Sequence, residues 1–330
     1  MAGYSVDVVW HPVFELVCSL MTYARSYLHK VVDLGNAWRT DTKNKLPKGF
    51  SDQLGAAARL GEVEALLRFG QTLAWAWRCR RGGVGSVEDC LAWMRDLELG
   101  ELYAIASRFA PPGTGVPADL GGIRDEALSL LETWHAGYFR HVDPAILTGL
   151  ADEAAVQGKL VASRTAEQLV EDASGGAVLQ LDSRFERVTL IPQYHARPWN
   201  IYEIYGDVVV LYYPAEAWPP EPGQPPARLL RLTKAINDAN RLRILRLVVD
   251  GAHTFTEIAD QIELSKATVH YHLVLLRAAG LLRVKTNLTK SHGDRYSLRR
   301  EALRDLPVQL SSFINGPTVR PHPSSTEEGV

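Results

Sequence analysis

A short stretch of the chain groups hydroxyl, imidazole, phenol and amine side chains of the kind that contact nucleic acid. Thr254 and Glu257 have the spacing of a capping box, which predicts a helix from Phe255 to Ile262. Ser265 is a good N-cap for a second helix, Lys266 to Ala279. Polar and small residues gather at the start of this second helix, and these are our candidates for DNA contact: Ser265, Lys266, Ala267, Thr268, His270, Tyr271 and His272.

The spacing on the second helix separates an apolar face from a polar one. Val269, Leu273 and Leu276 recur every three or four residues, which predicts the buried face. The opposite side is then available to enter a major groove, which is about 12 Å wide and admits one helix. We expect His272 to pack or to contact phosphate rather than to read a base. The residues expected to face base edges are Lys266, Ala267, Thr268, His270 and Tyr271.

A basic hairpin follows the second helix. The segments Leu281 to Thr286 and Asp294 to Leu298 predict two strands, joined by a loop from Asn287 to Gly293. Basic side chains on such a hairpin, or wing, position a protein on the phosphates without reading the sequence. The candidates for phosphate contact on the wing are Arg283, Lys285, Lys290, His292 and Arg295.

The residues before the capping box predict two further helices that support this pair. Apolar residues from Leu229 to Ile236 suggest one helix, and Asp238 caps another that stops at Gly251. A tight turn around Glu263 and Leu264 then makes a helix-turn-helix of the next two helices. With the wing, the segment predicts a winged helix over residues 228–310.

The segment resembles the winged-helix repressors of the arsenic-repressor (ArsR) family. The resemblance lies in the strings DANRLRILRLVVDG, TFTEIADQIELSKATVHYHLVLLRAAGLLR and DRYSL, about 75 residues in all. It implies a homodimer that places two recognition helices in successive major grooves, about 34 Å apart. The residues that match the family pattern are Asp238, Arg241, Ile244, Leu245, His272, Leu273, Leu276, Ala279, Gly280, Leu281 and Tyr296.

The chain departs from the metal-sensing members of that family. Where those members carry Cys-x-Cys, this sequence has Thr254 and Thr256, whose hard oxygen atoms are poor ligands for soft metals. The C-terminal helix, from about Arg299 to Leu310, also lacks the Asp-x-His pair of zinc-sensing relatives. The sequence therefore predicts DNA binding without a metal or other cofactor.

Charge is unevenly distributed along the 330 residues. The whole chain has a net charge of −2, which by itself argues against a nucleic-acid binder. Between Arg228 and Arg304, however, 15 Lys and Arg face 7 Asp and Glu, so this segment carries +8 and the remainder −10. Five prolines in the nine residues from Trp218 to Pro226 predict a linker, at 218–227, between the two parts. Residues 311–330, rich in Pro, Ser, Thr and Glu, predict a disordered tail.

Residues 1–217 predict a mostly helical domain that ends in a small β element. Apolar residues recur at helical spacing up to Gly175-Gly176, after which β-branched and aromatic residues take over. Strands are predicted at Arg187 to Ile191, Trp199 to Tyr205 and Asp207 to Tyr213, with a hairpin turn at Gly206-Asp207. The tryptophans suggest either core packing, which we favour, or an aromatic pocket for an apolar effector.

Composition bounds the class of protein. The chain is 46% apolar, so it can bury a core, and its three cysteines are too widely spaced for a disulfide framework, which fits the cytoplasm. His11, Pro12 and Glu15 interrupt the N-terminal apolar residues, so we expect no secretory signal. No run of about 18 apolar residues predicts a membrane span.

Together these features predict a mainly α fold with small β elements: a helical N-terminal domain and a C-terminal winged helix-turn-helix. We expect a DNA-binding transcriptional regulator, acting as a repressor and as a homodimer on an inverted repeat in double-stranded DNA. The N-terminal domain is expected to sense an unknown small-molecule or protein effector, and no enzyme activity or membrane partner is expected. Two alternatives stay open: an enzyme in the N-terminal domain, or an adaptor that recruits a protein, with the winged helix for targeting.

Overall fold

A computed structural model describes residues 3–25, 31–59, 62–109, 115–216, 224–288 and 293–316. The chain divides into two compact units. The first comprises Met1–Ala217 and Lys285–Gly293, and the second comprises Trp218–Val284 and Asp294–Val330. The division after Ala217 falls at the start of the proline-rich stretch.

The first unit is built mainly from helices, as the apolar spacing predicted. Pro12 at the first turn of one helix and Pro144 at the first turn of another have the fixed φ that suits a helix start. The helices are α1 (Pro12–Ala24), α2 (Gly35–Lys45), α3 (Phe50–Arg59), α4 (Glu62–Arg81), α5 (Val87–Asp96), α6 (Leu99–Phe109), α7 (Leu120–Gly137), α8 (Pro144–Leu160) and α9 (Ala166–Ser174).

A four-stranded sheet lies beside these helices, with the strand order β1-β3-β5-β4. The hairpin turn predicted at Gly206-Asp207 is confirmed: β4 and β5 pair antiparallel, and Gly206 has a φ of +62°. The sequence did not predict β1, which pairs in parallel with β3, with Val6 opposite Val188. The strands of this sheet are β1 (Ser5–Val8), β3 (Arg187–Gln193), β4 (Ile201–Tyr205) and β5 (Val208–Pro214), and a further short strand, β2 (Ala177–Leu179), is not part of it.

The core of the first unit is rich in aromatic side chains. Trp77 and Trp134 are 1% and 0% exposed, and Trp75 stacks on Tyr205 with ring centroids 5.4 Å apart. The tryptophans at these positions therefore pack the core, which was the favoured explanation. Together they bury a large apolar area in the helical layer.

A buried hydrogen-bond network ties α1 to the segment after β3. Glu15 Oε1 accepts from the backbone N–H groups of Tyr194 (3.1 Å) and His195 (2.9 Å) and lies 2.5 Å from His195 Nδ1. His195 Nε2 is 2.8 Å from the Tyr138 hydroxyl, which accepts from Trp38 Nε1 at 2.7 Å. This network joins residues that are up to 180 positions apart in sequence, so it fixes the tertiary arrangement of the unit.

The second unit is a winged helix. Strand β6 pairs antiparallel with β8, and β7 lies on the other side of β8. Its core is formed by residues that include Ile258, Val269 and Leu276, each of them fully buried. The elements are α10 (Ala227–Ile236), α11 (Ala239–Leu247), β6 (His253–Thr254), α12 (Phe255–Ile262), α13 (Lys266–Ala278), β7 (Leu282–Thr286), β8 (Arg295–Leu298) and α14 (Arg300–Ile314).

The C-terminal boundary differs from the prediction. α14 extends to Ile314, so residues 311–314, assigned from composition to a disordered tail, are helical. Leu310, Phe313 and Ile314 give this last turn an apolar side. The prediction from composition missed it because Ser and Asn residues lie between and after them. Residues 317–330 of the predicted tail and residues 218–223 of the predicted linker lie outside the described residues. Among the helices described, none has the length and apolar character to cross a bilayer.

Arg241 joins the first two helices of the winged helix. Its side chain is buried, and its guanidinium donates to the backbone carbonyls of Ala235 (2.7 Å), Lys234 (2.8 Å) and Asn237 (3.4 Å) at the end of α10. Asp238, the N-cap of α11, accepts from the Arg241 backbone N–H at 3.0 Å. One residue pair therefore satisfies both the carbonyls that end α10 and an amide that starts α11.

We predict that Arg241→Lys lowers the free energy of local unfolding of α10 and α11 by about 2 kcal/mol, because an ammonium group cannot reach three carbonyls and leaves buried acceptors unpaired. Hydrogen exchange of the α10 and α11 amides, followed by mass spectrometry, measures this change. Arg243→Lys is the matched control, since Arg243 is exposed on the same helix. Equal protection from exchange in the two variants would contradict the role of Arg241 in joining α10 to α11.

Candidate nucleic-acid interface

The turn that orients α13 is fixed by backbone conformation and caps. Glu263 takes the left-handed conformation, with a φ of +59°, and ends α12 at the position where the turn was predicted. Ser265 Oγ accepts from the Thr268 N–H at 3.2 Å, as expected of an N-cap. The capping box at the start of α12 is also present, with Thr254 N–H donating to Glu257 at 2.7 Å. That hydrogen bond lowers the pKa of the Glu257 carboxyl.

The N-terminal half of α13 presents an exposed face. Val269, Leu273 and Leu276 are at most 2% exposed, so they fill the core as predicted. The opposite side carries Tyr271, a large aromatic side chain that is 52% exposed. The other exposed candidates at this end of the helix are Ser265, Lys266, Ala267 and His270, and Thr268 is partly buried. An ammonium, an imidazole and a phenol on one exposed face provide hydrogen-bond donors and acceptors for base edges.

The hydroxyl groups of Ser265 and Thr268 are already engaged with each other. Their oxygen atoms lie 2.8 Å apart, and Ser265 also caps the helix. Ser265 is therefore held in place for the helix rather than for a ligand. Thr268 keeps one side of its hydroxyl and its methyl group for a base.

His272 does not belong to the exposed face. It is 5% exposed, and neither ring nitrogen has a hydrogen-bond partner among the described residues. The reason is its spacing: His272 follows Val269 by three residues and precedes Leu276 by four, which places it on the buried side of the helix. The inclusion of His272 among DNA-contacting residues is corrected, and packing, the first of its two expected roles, fits its position.

The wing residues fall into three groups. Lys285, on β7, is exposed. Arg283 forms an ion pair with Glu301 at 3.1 Å, and Arg295 donates to the backbone carbonyl of Ala252 at 3.0 Å. An exposed ion pair is worth at most about 1 kcal/mol, so exchange of such a partner for a phosphate costs little. Lys290 and His292 lie outside the described residues.

The structure also shows a basic groove that sequence reasoning missed. It lies between α11 and α12, has a volume of about 600 Å³, and includes Leu242 with Arg243 and Arg246 beside it. The sequence carried one signal for it: Arg243 and Arg246 are three residues apart, which places them on one side of a helix. The helix-turn-helix pattern predicts α13, rather than this groove, as the DNA-contacting surface.

The C-terminal part of the chain is similar to known helix-turn-helix proteins. A family model described as a helix-turn-helix domain matches residues 237–285, from the start of α11 to β7. The transcriptional repressor SdpR of Bacillus subtilis is 33% identical over 82 residues, which cover 25% of this chain and 88% of SdpR. The chain belongs to the arsenic-repressor (ArsR) family. It is a DNA-binding helix-turn-helix transcriptional regulator, and the match that shows this covers its C-terminal part.

Two solved structures are also similar to the ArsR-type domain of this regulator. NolR from Sinorhizobium fredii is 23% identical and covers 28% of this chain and 87% of its own, with a TM-score of 0.22. Reduced HlyU from Vibrio cholerae is 25% identical and covers 28% of this chain and 92% of its own, with a TM-score of 0.21.

This ArsR-family member uses Thr254 differently from the metal-sensing pattern. Its hydroxyl accepts from the Glu257 N–H at 3.2 Å, so the residue serves as a helix cap. In the part of the chain that the structure describes, no three His, Cys, Asp or Glu residues are grouped so that they could hold a metal ion.

We expect the exposed residues of α13 and of the wing to contribute differently to DNA binding. We predict that Tyr271→Ala changes the ranking of DNA sequences, with a loss of about 1–3 kcal/mol on the preferred site, because Tyr271 is exposed on the face of α13 that we expect to enter the major groove. Lys285→Ala should instead weaken all sequences together and lower the slope of log K against log salt concentration by about 1. Fluorescence anisotropy with operator and random duplexes, at several salt concentrations, measures both effects.

The control for this pair is Lys234→Ala, which removes the same charge from α10. Equal losses for Tyr271→Ala on operator and random DNA would refute base reading by α13. A salt slope that Lys234→Ala lowers as much as Lys285→Ala would show that only the total charge matters.

Proposed function

We propose that this regulator is a repressor that binds an inverted repeat as a homodimer, with its first unit sensing an effector. The observation that carries the DNA-binding part is the exposed N-terminal face of α13, opposite its buried residues Val269, Leu273 and Leu276. Repression is supported by the similarity to SdpR, a transcriptional repressor. The +8 charge of residues 228–304 favours a polyanionic partner.

An apolar stripe on α14 supports the homodimer. Leu303, Leu306, Leu310 and Phe313 are separated by three, four and three residues, so they lie along one side of the helix. Leu310 and Phe313 are 40% and 38% exposed, and Ile314, on the same side, is 64% exposed. Such a stripe of exposed apolar residues is typical of a helix that packs against a partner. Because the spacing is that of a coiled-coil seam, we assign the partner as α14 of a second copy.

The proposal is tested by genome-wide footprinting of the full chain, followed by binding to the recovered sites at several salt concentrations. We expect enrichment of a sequence with two half-sites related by a two-fold axis, because two copies of α13 would enter successive major grooves about 34 Å apart. Affinity for those sites should exceed that for random DNA by at least about 10³-fold. No enrichment above random sequence would overturn the DNA-binding role.

The dimer makes a separate prediction. Leu310→Glu with Phe313→Glu should convert the dimer to a monomer, since two carboxylates cannot be buried unpaired in the seam. Analytical ultracentrifugation measures the mass, and circular dichroism checks that the helices remain. Val308→Glu is the matched control, because Val308 is 68% exposed on the opposite side of α14. If the double variant stays dimeric, another surface makes the dimer.

Among the described residues of the first unit, the pair of Glu15 and His195 is a feature that would suit an enzyme. An acid or base must reach its substrate. The side chains of His195 and Glu15 are 0% and 1% exposed, and Glu15 Oε1 already accepts from two backbone N–H groups. The geometry of this pair therefore favours a structural role, and the sensor is the function that we propose for the unit.

A further inference from the structure

The first unit contains a cavity of about 380 Å³ that has no role in DNA binding or in the proposed dimer. Its wall is formed by the end of α1, the first half of α4, the segment before β4 and β4 itself. The volume lies in the lower part of the range for small-molecule sites, about 300–1,000 Å³. Its lining includes charged, amide and aromatic side chains, those of Arg25, Glu64, Arg68, Trp199, Asn200 and Glu203.

The two guanidinium groups at this cavity share one carboxylate of its wall, that of Glu64. Arg25 donates twice to Glu64, at 2.5 and 3.2 Å, and Arg68 Nε donates to the same carboxylate at 3.2 Å. An anionic ligand would therefore compete with Glu64 for both arginines. These contacts disfavour a carboxylate or phosphate as the occupant.

Among the residues that line the cavity, Glu203 has a carboxylate without a direct partner in the described part of the chain. It lies partly buried on β4, and its side chain makes no hydrogen bond or ion pair with any residue that the structure describes. Burial raises the pKa of its carboxyl, and the more distant Arg68 and Arg25 only oppose that shift. A partly buried carboxylate without a direct partner is a suitable group to bind a cationic ligand.

Asn200 supplies a second acceptor that is not used. Its Nδ2 donates to the Ser174 carbonyl at 2.9 Å, which fixes the orientation of the amide. Its Oδ1 is buried and has no hydrogen-bond partner in the described part of the chain. A partner for both acceptors must carry N–H groups as well as positive charge, which a primary ammonium does and a quaternary ammonium does not.

We propose that this cavity binds a small primary amine, with its ammonium group between the Glu203 carboxylate and Asn200 Oδ1. Trp199 and Tyr202 also line the cavity and provide aromatic surface for the apolar part of the ligand. This inference rests on the proposed function, because it identifies the site and the chemical class of the effector that the first unit senses.

The test is calorimetric titration of the full chain with 2-phenylethylamine and, separately, hexylamine. 2-Phenylethanol and 3-phenylpropionate serve as neutral and anionic probes of similar size. We expect the amines to bind at least 10-fold more tightly than either comparison probe. Binding of 3-phenylpropionate in preference to the amines, or no binding of either amine, would overturn the inference.

Two variants locate the site. Glu203→Gln keeps the shape and removes the charge, so amine affinity should fall at least 10-fold while the melting temperature stays the same or rises. Glu126→Gln is the matched control, because Glu126 is exposed on α7 and lies away from the cavity. Equal amine affinity in the two variants would refute the role of Glu203.

Operator binding, measured on the same samples, separates this inference from the proposed function. Operator binding without amine binding overturns the amine site and leaves the DNA-binding role standing. Amine binding that changes operator affinity in the wild type, and does not do so in Glu203→Gln, supports both. Amine binding with unchanged operator affinity supports the site and contradicts its role as the sensor.

Discussion

The constraint on which the DNA-binding domain depends is the division of α13 into two faces. Val269, Leu273 and Leu276 fix the helix by burial, and each such side chain contributes about 1.5–3 kcal/mol. Because these positions are taken by the core, the side chain of Tyr271 must face outward. The turn at Glu263 then sets the angle between α12 and α13. The exposed face is thus a consequence of the buried one, and the functional surface needs no interaction of its own to hold it.

Most of the winged helix could be predicted from sequence because its determinants are local. The capping box of Thr254 and Glu257 joins residues three apart, and so does the cap that Ser265 provides for α13. Helical spacing likewise separated the buried face of α13 from the exposed one. The same spacing, applied to His272, gives its buried position. His272 was nevertheless a candidate because it matches the family pattern and imidazole is polar.

The first unit was less predictable because its determinants are distant in sequence. The strands near residues 187–213 have strong β propensity and were found, whereas β1 has only four residues and acquires its partner about 180 residues later. Glu15 and His195 are also 180 residues apart, and the residues next to them in sequence give no sign that the two side chains pair. Likewise, the cavity at Glu203 is assembled from segments that only the tertiary fold brings together.

Two carboxylates in the first unit show how a structural group differs from a group left for a ligand. Glu15 is almost fully buried, yet one of its oxygens accepts from two backbone N–H groups and lies against His195, so the fold itself compensates that charge. Glu203 is less buried but has no such partner among the described residues. Desolvation of an unpaired charge costs free energy in the empty protein, and a bound cation removes that cost. Because a ligand stabilises the state that binds it, an amine bound as proposed would stabilise the first unit in the conformation described here. In the site that we propose, the carboxylate of Glu203 is therefore the group through which a small cation would act on this unit.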